Sequence, residues 1–94
     1  MNKKDEFKLT EGSRYRILSI GGRDNSLETE GIFRGFASMG IDEGGLRLEL
    51  TSFHGDLQGK TRIVPIHAIL SIDVLDVKEH TKSDDEKEAN HYYG

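Results

Sequence analysis

Apolar and polar side chains alternate along most of this chain, and the alternation stops only where glycines and short polar residues gather. A period of two is that of a strand, whose successive side chains point to opposite faces. Ser13 to Ile20 is the first such run, with Leu18 and Ile20 on one face and Tyr15 and Ile17 on the other. Gly21 to Ser26 is dense in turn formers and closes it. Glu28 to Ser38 forms a second run, Met39 to Gly45 a loop, and Leu46, Leu48 and Leu50 alternate with Arg47 and Glu49 in a third. After a turn at His54 to Gly59, Thr61 to Ile66 and Ser71 to Val77 supply a fourth and a fifth, joined through His67, Ala68 and Ile69 with hardly any loop. Five short strands with closely spaced turns predict an all-β barrel or sandwich.

Gly31 and Gly35 interrupt the second run without ending it. Glycine inside a strand marks a bulge, a barrel corner or a close approach of another backbone, so the second strand is expected to bend sharply. Both glycines together predict a small, strongly bent five-stranded antiparallel barrel.

Length sets the next bound. A chain of 94 residues fits one domain and buries a modest share of its surface, so association with further subunits is expected to help it. The ends differ from the middle. Residues 1 to 12 read as an N-terminal arm or short helix with Phe7 as its strong apolar anchor, and residues 78 to 94, polar and charged, read as a disordered tail. The body between them, residues 13 to 77, is the expected barrel. No apolar run is long enough to span a membrane and the first residues are charged, so a cytoplasmic protein is expected.

Charge and chemistry narrow the function. The formal charge is −4, and the body is close to neutral, so it lacks the basic excess of most nucleic-acid binders and any RNA site must be a local patch. Without cysteine there is no thiol nucleophile and no thiolate zinc site. His54, His67, His80 and His91 show no metal-ligand spacing, and nothing sets a nucleophile beside a base. The expectation is a protein that is not an enzyme and carries no metal or cofactor.

Gly31-Ile-Phe-Arg-Gly-Phe36, followed by a loop and an alternating strand, resembles the first motif of the Sm-like proteins, the Sm/Lsm group together with bacterial Hfq. His67-Ala-Ile69, after one apolar strand and before another, is similar to the Lys-His-Ala-Ile segment of Hfq. The resemblance covers about Ser13 to Val77. It implies an SH3-like barrel in which strands four and five of adjacent copies pair, closing a homo-oligomeric ring of six or seven that binds single-stranded RNA. The RNA would meet the loop after strand two and the turn between strands four and five. Departures from the pattern are specific: Ala37 follows Phe36 where the family has Asp and then Asn, Ile66 stands before His67 where Hfq has Lys, and Pro65 lacks an amide donor in a strand expected to pair.

The resemblance and the side-chain chemistry nominate Arg34, Met39, Lys60, Arg62 and His67 as RNA contacts. His67 would stack on or hydrogen-bond a nucleotide, Lys60, Arg62 and Arg34 would form a phosphate patch, and Met39 would offer a base an apolar platform. Each has a plainer reading: a packed imidazole, solvated surface cations, and a loop side chain folded onto the core. Two functions therefore stay open, an RNA-associated Sm-like ring and a barrel acting as a protein-interaction or assembly module without RNA.

Overall fold

The computed structural model describes residues 7 to 78; the first half of the expected N-terminal arm and all but the first residue of the expected tail lie outside them. Five antiparallel strands form one sheet: β1 (Arg14–Gly22), β2 (Asn25–Ser38), β3 (Gly44–Leu50), β4 (Thr61–Pro65) and β5 (Ile69–Asp76), in the spatial order β4-β3-β2-β1-β5. The fold is all-β, as the alternation predicts. β4 and β5 do not pair with each other, so the sheet stays open and, among the described residues, each forms a free edge. The helical pieces are 3-10 turns at Ser52–Leu57 and Ile66–Ala68, and no helix among the described residues is long and apolar enough to cross a membrane.

One face of the sheet carries the core. Tyr15, Ile17, Phe33, Leu46, Leu48 and Val64 are buried there, with Leu9, Ile69 and Ile72 packed against them. Tyr15 sits edge-on between Phe7 and Phe33, at 6.4 and 6.3 Å between ring centres, and its hydroxyl accepts the Thr10 N–H at 3.0 Å. That aromatic stack draws the segment before β1 across one end of the core, and residues 7 to 10 have no helix. At the other end Arg62 donates to Thr29 Oγ1 at 2.8 Å, which satisfies a hydroxyl that is otherwise fully buried.

The two β2 glycines serve different purposes. A Cβ on Gly31 would stand 2.9 Å from the Glu49 carbonyl oxygen and 3.0 Å from Leu48 Cβ, so Gly31 allows β3 to come close. Gly35 has φ +104°, a region that side-chain-bearing residues avoid, and it lies where the β2–β3 register slips between Phe33 and Phe36. The expected bend is therefore a bulge at Gly35.

Backbone pairing moves several boundaries. The glycine-rich stretch read as a turn from Gly21 to Ser26 shrinks to Arg23 and Asp24, because Gly22 pairs with Asn25 and the hairpin continues past its apolar pattern. β4 ends at Pro65 and β5 begins at Ile69, two residues before the alternation does.

Candidate nucleic-acid interface

β3 starts with two glycines, and three side chains from other elements close over them. A Cβ on Gly44 would meet Ile66 Cδ1 at 3.2 Å, and one on Gly45 would meet both Met39 Sδ and Ile63 Cγ2 at 2.7 Å. The absence of side chains here lets the loop after β2 and the turn after β4 converge at one end of the sheet. Met39 N–H donates to Glu43 O at 2.8 Å, which closes the loop on itself and leaves Ile41 almost fully exposed. Met39 is half-buried, folded back towards β3, and His67 follows Ile66 on the short turn with its side chain exposed.

The three cations do not make one patch. Arg34 pairs with Glu49 through Nη2 at 2.9 Å and Nε at 3.0 Å, and Glu49 alternates with the buried Leu48 and Leu50, so this pair stands on the face away from the core. Arg62 lies opposite Leu48 in register and reaches Thr29 on the core face, 2.8 Å away, and the Glu28 carbonyl at 3.4 Å. Lys60 is exposed, just before β4, with its backbone tied to Leu50 and Leu57. Met39 and the turn that carries His67 thus reach the same end of the sheet, Met39 over Gly45 on the face away from the core and Ile66 over Gly44 on the core face, while Arg34 and Arg62 are held by internal partners on opposite faces.

A second cluster escaped the sequence reading. Arg16 and Glu30 face each other in register across β1 and β2, and Arg16 Nη2 donates to Glu30 Oε1 at 2.9 Å. Thr51 Oγ1 reaches Glu30 Oε2 at 3.2 Å, the Phe53 ring lies 5.5 Å from the Arg16 guanidinium carbon, and His54 Nε2 accepts the Glu30 N–H at 2.9 Å. The Arg16 hydrogen bond, against the opposing effect of burial, holds the Glu30 carboxyl below its ordinary value, and the same bond raises Arg16. Burial and the nearby Arg62 lower His54. In sequence these residues are scattered, and only the strand register brings them together.

The free β4 edge has a definite polarity. Leu50 N–H donates to Lys60 O at 2.8 Å, and the register continues with Leu48 opposite Arg62 and Leu46 opposite Val64. Backbone groups alternate in direction along a strand, so Lys60, Arg62 and Val64 face β3, and Thr61, Ile63 and Pro65 face outward. The donor that Pro65 lacks is therefore missing from the open edge and not from the sheet. Ile63 and Ile66 on this side, and Leu70 and Val74 on β5, are exposed apolar residues at the two edges.

No family model, curated protein or solved structure matches the chain.

Proposed function

We propose that this chain is an Sm-like subunit that assembles copy to copy through its β4 and β5 edges, closing a ring of six or seven, and that the ring binds single-stranded RNA. The observation that carries this reading is that the loop after β2 and the turn after β4 both end on the glycine start of β3, Ile66 over Gly44 beside the exposed His67 and Met39 over Gly45 on the other face. Two free edges bearing exposed apolar side chains support the assembly. Because Arg34 and Arg62 are engaged internally and Lys60 lies at the other end of β4, the contact with RNA is chiefly with bases: stacking on His67 beside Ile66, repeated around the ring.

The internal engagement of both arginines also favours a second reading, an assembly module of the same fold that never meets RNA. Oligouridine and oligoadenine binding, followed through a salt titration with wild type and His67→Ala, separates the two. The RNA reading expects saturable binding that weakens only gently with salt, since few phosphates are neutralised, and a loss of about 1 to 3 kcal/mol per stacked base in His67→Ala. No binding by an assembled ring leaves the module reading standing.

A further inference from the structure

β2 and β3 stop pairing at Gly31 and Leu50, because the chain leaves the sheet at Thr51 and enters the 3-10 turn of Ser52–Leu57. Glu30 is thereby left with an N–H and a C=O aimed where the next β3 residue would have been. The turn supplies both partners. Thr51 N–H donates to Glu30 O at 3.2 Å, and His54 Nε2 accepts the Glu30 N–H at 2.9 Å, an imidazole standing in for a strand carbonyl. An imidazole nitrogen accepts only while it carries no proton, so this contact requires neutral His54 with its hydrogen on Nδ1.

We propose that His54 is a latch: neutral, it docks the β3–β4 turn onto β2, and protonation releases that turn. An imidazolium would set Nε2–H against the Glu30 N–H, two donors facing one another with the acceptor gone. Charged groups surround the latch from three strands. Arg62 of β4 opposes the imidazolium, Glu28 and Glu30 of β2 favour it, and Arg16 of β1 adjoins through Glu30 and through Phe53, whose ring lies 5.0 Å from that of His54. Burial and Arg62 act in the same direction, which keeps the latch closed at neutral pH.

Gly55, at φ +58° and ψ −120°, breaks the turn into two short helical pieces beside the histidine. Release carries away Phe53, which covers Arg16, and alters the groove lined by Ile32, Leu50, Thr51, Ser52 and Gln58. What changes with pH is thus the surface at the β3–β4 end, while the core strands stay paired.

Amide hydrogen exchange and histidine titration, both followed by NMR on the full chain from about pH 7.5 to pH 5, test the latch. After correction for intrinsic exchange, Glu30 amide protection should fall about tenfold or more along the titration curve of His54, while the Leu48 amide keeps its protection. In His54→Gln, whose amide oxygen accepts without titrating, the pH dependence at Glu30 should vanish. Flat protection in wild type, a loss that does not follow the His54 titration, or an unchanged pH dependence in His54→Gln would each overturn the proposal.

Discussion

Gly35 holds the bend of β2 by backbone angle, and Gly31 holds the approach of β3 by lack of bulk, so the two should respond differently to substitution. Gly35→Val forces a β-branched residue into φ +104°, and we expect a loss of about 1 to 3 kcal/mol in urea unfolding. A midpoint unchanged from wild type would move the bend elsewhere. His54 makes a prediction in pH. Its folded value lies below the ordinary one, so the unfolded chain binds the proton more readily. The stability it contributes is complete above the unfolded value of about 6.5 and is lost as pH falls from there through the folded value. Urea midpoints at pH 7.5 and 5.5 should differ in that sense, and the difference should shrink in His54→Gln.

At the scale of elements, the polarity of β4 gives a pair of variants with opposite expectations. Val64→Pro removes a donor that faces β3 and a buried side chain, and should cost about 3 kcal/mol or more; Ile63→Pro removes an outward donor and should leave a folded chain by circular dichroism. Equal damage from both would mean that the outward assignment is wrong. This polarity also shows what the sequence could convey. Alternation in Leu46, Leu48 and Leu50 revealed β3 because one of its faces is buried and the other wet, and Gly35 announced the bulge. The direction of Pro65 was hidden, since it depends on which residue of β4 bonds to Leu50. The Arg16, Glu30, Thr51 and His54 cluster was hidden for the same reason: Arg16 meets Glu30 only through the β1–β2 register, and His54 reaches β2 only after the turn folds. The candidate cations misled in the other direction, because charge alone reads as a patch, and it took the pairing to place Arg34 with Glu49 and Arg62 with Thr29.

For the whole molecule, the expectation is assembly. Light scattering at tens of micromolar, on the order of a modest dissociation constant, should report a mass several times that of the chain. In Ile63→Pro the same measurement should return a lower mass, since the open β4 edge then keeps only the Thr61 donor ahead of Pro65. A wild-type monomer would remove the ring.

Pro65 has a consequence beyond any ring. Fibrils grow when every strand passes an unbroken row of donors and acceptors to the next, and this chain exposes two apolar edges that invite such growth. A proline on the outward row interrupts that template at its apolar end, beside Ile66, without weakening the sheet behind it. Pro65→Val, monitored by thioflavin fluorescence and turbidity during prolonged warming, should therefore form insoluble cross-β material sooner than wild type while unfolding at nearly the same temperature. On this view the residue least expected in a pairing strand acts as a stop on the growth of the sheet past its open edge.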